Sequence, residues 1–378
     1  MIRSWYPVRV ALVAILAAGV AAMPAGPAIA DAIRNQQWYL ANLDIVQAHR
    51  ITDGAGVTVA LIDSGVYADH RDLHGAVLPG TDVNPDPSGD GRKDTDGHGT
   101  EMAGIIAGRG HGSGDGVLGI APAAKILPIS APTNTLTTSH FMTKAVDFAI
   151  AHHAGVINMS FGTLDDAPLH DAIRKAQAAD IVLVASSGND SKDGYDYPGL
   201  YPEVLTVGAY GRDGNVAPFS TAGSQVDLVA PGVDIVTTGD RSADDYYDGQ
   251  GTSEATAVVS GAAALLRAKY PNLSAAEIVH RLTATAIDGG PKGRDDSYGY
   301  GRLNIVKALN ADVPPPASSA ASTKGTTAAP AGTSAADPSD LPTAKSPLLL
   351  IGVVAGLIVL IGVVVILVLI ARGRRTVR

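Results

Sequence analysis

The sequence predicts an α/β body, a mostly parallel twisted sheet with helices on both faces, followed by one C-terminal transmembrane helix. Three observations carry this expectation. From residue 57 onward, short apolar runs bounded by Gly, Pro, Asp or Ser alternate with stretches of helical periodicity, as buried parallel strands joined by crossover helices require. Residues 348–371 carry no charge and are long enough to cross the ~30 Å hydrocarbon layer of a bilayer. The 378-residue chain also contains no cysteine, which excludes thiol nucleophiles, cysteine-held zinc, iron–sulfur clusters and disulfide staples.

Taken in order, residues 57–62, 124–129, 156–159, 181–185 and 204–207 read as strands, and residues 98–108, 139–153 and 168–179 as helices. A long Ala/Leu/Val helix follows over 252–270 and stops before Pro271. Ser274 and Glu277 then form a capping box that opens another helix. No internal repeat occurs. Residues 57–312 therefore read as one domain behind an N-terminal extension over 31–56, with ligand chemistry at the carboxyl ends of the strands.

The chain ends read as address and anchor. Arg3 and Arg9, an apolar stretch over 10–22 and the small-residue site Ala28-Ile29-Ala30 make residues 1–30 a cleavable secretory signal. Residues 313–346, rich in Pro, Ala, Ser and Thr, cannot bury enough surface to order themselves and read as a tether. Residues 347–371 form the span, and Arg372, Arg374, Arg375 and Arg378 make 372–378 a basic tail that the positive-inside rule leaves in the cytoplasm. The body is then extracytoplasmic, held at the cell membrane by a single pass. Within the span, Gly352 and Gly356 form a GxxxG pair that permits helix dimerisation. Setting aside the six terminal arginines leaves 22 of the 28 basic residues against 37 acidic ones, a net of about −15 rather than −9. Such an acidic body excludes nucleic acid as a partner, because phosphate binding needs a basic face.

Three segments carry reactive side chains. Asp63 ends the first strand, in Val59-Ala60-Leu61-Ile62-Asp63-Ser64-Gly65, so its carboxylate emerges at the sheet rim. His98 opens a helix between two glycines, in Asp96-Gly97-His98-Gly99-Thr100. Ser253, in Gly251-Thr252-Ser253, starts the long helix, where free N–H groups and the helix dipole favour a developing negative charge. Carboxylate, imidazole and hydroxyl are the parts of a nucleophilic relay: Ser attacks, His takes the proton, and Asp orients and stabilises the imidazolium. Singly, each residue also has a plain structural role as a strand-end or helix-end cap.

In the order Asp, His, Ser these segments resemble those of the subtilisin-like serine proteases, and the likeness runs over most of the body. Val184-Ala185-Ser186-Ser187-Gly188-Asn189 resembles the family's oxyanion-hole strand, which implies Asn189 and the Ser253 N–H as oxyanion donors. Ile157-Asn158-Met159-Ser160-Phe161-Gly162 resembles the segment that pairs with extended substrate, so Ser160, Phe161 and Gly162, with Ser186, Ser187 and Gly188, are implied substrate contacts. Tyr197-Pro198, Tyr201-Pro202, Phe219-Ser220 and Val229-Ala230-Pro231-Gly232 continue the match. The resemblance further implies that Asp196, just before Tyr197-Pro198, lies at the floor of the S1 pocket and favours Lys or Arg at P1; a solvated loop residue is the other reading. No cofactor is implied. A structural calcium is allowed by Asp82, Asp86, Asp90, Asp94 and Asp96, which crowd the loop before His98, although acidic loops are also simply solvated.

The chain departs from the family pattern at the nucleophile. Glu254 and Ala257 stand where Met and Pro are usual, and a carboxylate beside the nucleophile is expected to alter substrate preference or the proton affinity of the histidine. The short stretch before Asp63 leaves no room for a folding propeptide, so an inhibitory prodomain is not expected. Signal, short extension, protease body, tether, single span and basic tail together resemble the mycosins, the membrane-anchored proteases of type VII secretion systems. That resemblance implies polypeptide substrates, secretion components as partners, and an alternative function as a structural subunit whose catalysis is dispensable. Mycosins commonly carry disulfides, and this chain has none. Other motifs fall away: His152-His153 sits at a helix end as a dipole partner, and Gly114-Asp115-Gly116-Val117-Leu118-Gly119 precedes a strand, unlike a dinucleotide-binding turn.

Overall fold

The computed structural model describes residues 32–112, 114–132, 138–189 and 197–316, all in one compact unit. In chain order its elements are α1 (Ala32–Gln36), α2 (Trp38–Asn42), α3 (Ile45–His49), β1 (Thr58–Asp63), β2 (Thr81–Asp82), α4 (His98–Ala107), β3 (Arg109–His111), β4 (Asp115–Leu118), β5 (Lys125–Ser130), α5 (Thr138–Ala151), β6 (Val156–Met159), α6 (Ala167–Ala178), β7 (Val182–Ser186), β8 (Leu205–Tyr210), β9 (Leu228–Pro231), β10 (Ile235–Thr238), β11 (Tyr246–Gly249), α7 (Thr252–Lys269), α8 (Ala275–Ala284) and α9 (Ile305–Asn310). Seven strands form one parallel sheet in the order β2-β5-β1-β6-β7-β8-β9. The hairpins β3-β4 and β10-β11 stand outside it.

The five expected strands all lie in this sheet, within a few residues of the expected limits, because strands covered on both faces read as continuous apolar runs. Along β1, Val59 and Leu61 enter one buried cluster while Ala60 and Ile62 enter the other, as the two-residue period of a strand dictates. Helix α7 is the spine of the first cluster; Ala, Val and Leu residues from Ala255 to Leu266 are buried there. The Ser274–Glu277 capping box is formed, with Ser274 N donating to Glu277 Oε2 at 2.8 Å. Strand β4 (Asp115–Leu118) occupies the middle of the segment 114–119, so that segment is not a dinucleotide-binding turn.

The N-terminal residues are part of the core. Tyr39, Ile45 and Ala48 are fully buried, Arg34 donates to the Gly116 and Asp115 carbonyls at 2.8 and 3.0 Å, and Trp38 Nε1 donates to Val233 O at 3.0 Å. Among the described residues no helix is long and apolar enough to cross a membrane. The expected signal (1–30), span (347–371) and basic tail (372–378), with most of the tether, lie outside the described residues.

Candidate active site

The carboxyl ends of β1, β5 and β6 open on a cavity of about 420 Å³. On one side it is lined by Asp63, Asp96, His98, Glu101 and Tyr247, and on the other by Ala131, Pro132, Met142 and the segment Ser160, Phe161, Gly162. Parallel packing places the ends of β1 and β6 side by side here, because Ile62 pairs with Met159.

Asp63 Oδ1 accepts three hydrogen bonds, from His98 Nδ1 at 2.8 Å, Ser64 N at 2.8 Å and Ser64 Oγ at 3.3 Å. This orients the imidazole with Nδ1 as the donor, since a carboxylate only accepts, and leaves Nε2 as the nitrogen that Asp63 does not engage. The Asp63 side chain is 3% exposed and that of His98 34%. The backbone approach is close: a Cβ on Gly99 would stand 1.9 Å from Gly65 O, so only glycine lets α4 begin this near β1. Asp96 accepts from His98 N at 3.0 Å, and Asp94 accepts from Gly97 N and Thr100 N, satisfying the free N–H groups at the start of α4.

Ser253 lies in the first turn of α7, tied to β6 by a chain of buried polar groups. Ser260 Oγ donates to Asn158 Oδ1 at 2.8 Å, Asn158 Nδ2 to Ser160 Oγ at 2.9 Å, and Ser160 Oγ to Ser253 O at 3.2 Å. Ser253 Oγ donates to Ser160 O at 3.4 Å rather than to His98; such bonds are often long until substrate is bound. Asn189 Oδ1 accepts from Thr252 N at 2.8 Å and from Thr252 Oγ1 at 2.9 Å. An amide N–H can only donate, so the Asn189 oxygen is fixed toward Thr252 and its NH₂ is left for another acceptor. Ser186 ends β7, Ser187 N bonds Val207 O, and Gly188 O accepts from Thr221 N. These three residues border Asn189 but do not line the cavity.

Four of the expected positions thus meet in two hydrogen-bonded pairs, Asp63 with His98 and Ser160 with Ser253. Asp196 lies outside the described residues. The five loop aspartates do not converge: Asp82 is held by Asn84 and Ser88, Asp86 is exposed, Asp90 is held by Arg92, and Asp94 and Asp96 by the start of α4. Among the described residues no three acidic or imidazole groups come together as a metal site.

Sequence reasoning passed over Glu101, whose place three residues after His98 puts both on one helical face. Burial opposes charge on His98, yet the carboxylates of Asp63, Glu254 and Glu101 outweigh it and raise its pKa to about 10. Burial raises Glu101 to about 8, against the attraction of His98 and with repulsion from Glu254, Asp63 and Asp94. Glu254, 5% exposed, is raised by burial as well.

The family model described as the Subtilase family matches residues 54–301. The chain belongs to the subtilase family. It is 38% identical over 285 residues to the intracellular serine protease of Paenibacillus polymyxa, covering 71% of this chain and 86% of that one. Mycosin-1 of Mycobacterium tuberculosis is 35% identical over 340 residues, with 75% of each chain covered. The minor extracellular protease Epr of Bacillus subtilis is 35% identical over 273 residues, and this subtilase spans only 41% of its length. Among solved structures, MycP1 with its N-terminal propeptide removed superposes with a TM-score of 0.66 at 32% identity, over 73% of this chain and 98% of that one. The subtilase is therefore a subtilisin-like serine endopeptidase of mycosin type.

Proposed function

We propose that this subtilase is an endopeptidase held on the outer face of a membrane and working with a type VII secretion apparatus. In it Ser253 Oγ attacks a peptide carbonyl carbon while His98 Nε2 takes the hydroxyl proton. Asp63 holds the imidazole and stabilises its charge, and Asn189 Nδ2 with the Ser253 N–H receives the oxyanion. Collapse breaks the C–N bond, His98 returns the proton to the leaving amine, and water repeats the sequence on the acyl-enzyme. Ser160–Gly162 and Ser186–Gly188 hold the acyl side of the substrate, and Asp196 meets a basic P1 side chain. The observation that carries this reading is the 2.8 Å His98–Asp63 bond at the mouth of the cavity, beside a helix start whose Thr252 fixes the Asn189 amide.

The membrane part of the proposal rests on the order of regions along the chain: signal at 1–30, extension at 31–56, peptidase domain at 57–312, tether at 313–346, span at 347–371 and cytoplasmic tail at 372–378. The likeness to Mycosin-1 and to MycP1 supports the secretion role. Labelling with a fluorophosphonate probe tests the chemistry, with Ser253→Ala as control. Ser253-dependent labelling is expected. Its absence in folded protein favours the alternative, a structural subunit whose catalysis is dispensable. Protease accessibility of tags placed before residue 347 and after residue 372 in intact cells tests the topology, with only the first expected to be cut.

A further inference from the structure

The segment that follows β6 is held at both ends and open between them. At its inner end Ser160 Oγ donates to Ser253 O at 3.2 Å, and Ser160 O accepts from Ser253 Oγ at 3.4 Å. At its outer end Thr163 N donates to Tyr197 O at 2.7 Å and Thr163 O accepts from Tyr197 N at 3.3 Å, an isolated antiparallel bridge. Phe161 and Gly162 line the cavity between these anchors, and among the described residues their backbone makes no hydrogen bond. Backbone left unpaired between two fixed points is a template for one more extended strand. Where the two points stand then decides how well that strand fits.

The outer anchor has no sheet behind it, and side chains hold it instead. The Tyr197 ring packs on that of Tyr201 with 4.7 Å between centroids, and Tyr201 stacks on His170 at 4.1 Å with ring planes 8° apart. His170 Nε2 in turn lies 3.1 Å from Glu203 Oε2. Tyr201 is buried in one apolar cluster against which Phe161 and Tyr197 both pack. Its hydroxyl donates to Asp165 Oδ1 at 3.0 Å and accepts from Asp166 N at 3.3 Å. Tyr201 N also closes its own turn on Pro198 O at 3.0 Å. One side chain therefore joins the turn that carries Tyr197 to the loop that follows Thr163. The Asp165 side belongs to an exposed residue, which water would hydrate without the tyrosine. The bond satisfies the buried hydroxyl and fixes the loop.

We propose that Tyr201 is a positioning residue for substrate: it holds the Thr163–Tyr197 bridge where Ser160–Gly162 can pair with the acyl side of an extended peptide. The inference rests on the reading of Ser160–Gly162 as the acyl-side contact. Tyr201 touches neither the substrate nor Ser253. Loss of its hydroxyl weakens the hold on residues paired along the segment and leaves the attack itself alone, because the inner anchor at Ser253 remains.

The test compares two chromogenic substrates with the same leaving group, one carrying a single residue on the acyl side and the other four. Wild type should favour the longer one in kcat/KM. Tyr201→Phe keeps the ring and loses the hydroxyl. For the longer substrate its KM should rise about three- to tenfold, the range of one or two ordinary hydrogen bonds, with kcat unchanged. The shorter substrate and Ser253-dependent fluorophosphonate labelling should not change. Asp165→Ala removes the same bond from an exposed site and should give the same pattern, and the two changes together should be no worse than either alone. A wild-type KM for the longer substrate in both variants, or equal losses for the two substrates, overturns the inference and leaves the acyl-side reading intact. If wild type gains nothing from the longer substrate, that reading falls and the inference with it. Absence of Ser253-dependent labelling in folded wild type overturns the protease reading and both of these.

Discussion

The buried chain Ser260–Asn158–Ser160–Ser253 gives a sharp test of how the nucleophile is positioned. Ser260 and Asn158 are fully buried, and Ser260 Oγ is the donor to Asn158 Oδ1. Ser260→Ala leaves that oxygen buried without its donor, a loss of about 1–3 kcal/mol in stability. The stranded amide can then turn its oxygen toward Ser160 Oγ, which stops donating to Ser253 O. One ordinary hydrogen bond at the nucleophile, about 0.5–1.5 kcal/mol, corresponds to a kcat about two- to twelvefold lower. Ser260→Ala with Asn158→Leu removes both polar partners, so stability should return toward wild type. The kcat should return with it, because no side-chain oxygen then competes with Ser253 O for the Ser160 hydroxyl proton. Urea unfolding with an unchanged m-value measures the first quantity and peptide hydrolysis the second. If kcat stays low in the double variant although stability returns, competition for the Ser160 proton does not govern the nucleophile and the positioning argument fails.

Three further outcomes are expected. Asn189→Ala should lower kcat by about 10²–10³ with little change in KM, the size known for an oxyanion donor of this family; steady-state kinetics with one peptide suffices. Ile45→Ala, at a fully buried site in α3, should destabilise by about 2–5 kcal/mol in chemical denaturation, even though residue 45 lies before the catalytic domain as read from sequence. Glu101 has a raised folded pKa of about 8 against 4.5 unfolded. The folded state therefore binds the extra proton, and the stability this gives is complete below about pH 4.5 and lost as pH rises through 8. Glu101→Gln should accordingly gain in melting temperature relative to wild type across that window, and equal shifts at pH 4 and pH 9 would contradict the assignment.

Much of this was legible in the chain because strands buried on both faces cannot hide. The runs 57–62, 156–159 and 181–185 are apolar at nearly every position, and all three are central strands. The edge was less legible. Strand β2 is Thr81-Asp82, short and polar as an edge is, and the β10–β11 hairpin pairs Ile235 with Gly249 through residues that carry no apolar period. At the site, Asp63, His98 and Ser253 were readable because each sits at an element boundary that the sequence punctuates with glycine. The opposite wall was not. Ala131, Pro132 and Met142 come from a strand end, a loop and a helix, and their only common property is that the sheet order brings β5 beside β1. Glu101 and Glu254 are separated by a whole crossover topology, and neither alone signals that both bear on one imidazole.

The missing cysteines find their physical counterpart at the other end of the chain. A disulfide closing a long loop contributes about 2–4 kcal/mol, whereas a single hydrogen bond contributes about 0.5–1.5 kcal/mol. Substituting one for the other takes several contacts of long sequence separation, and the N-terminal residues supply them. Arg34 reaches residues 81 and 82 positions away, and Trp38 reaches carbonyls 195 and 196 positions away. Tyr210 Oη closes the same corner by donating to Asn42 Oδ1 at 2.7 Å. With Tyr39 and Ile45 fully buried beneath these contacts, lifting the segment off the body would expose core. A segment held this way cannot swing over the cleft, and none of residues 32–56 lines the cavity.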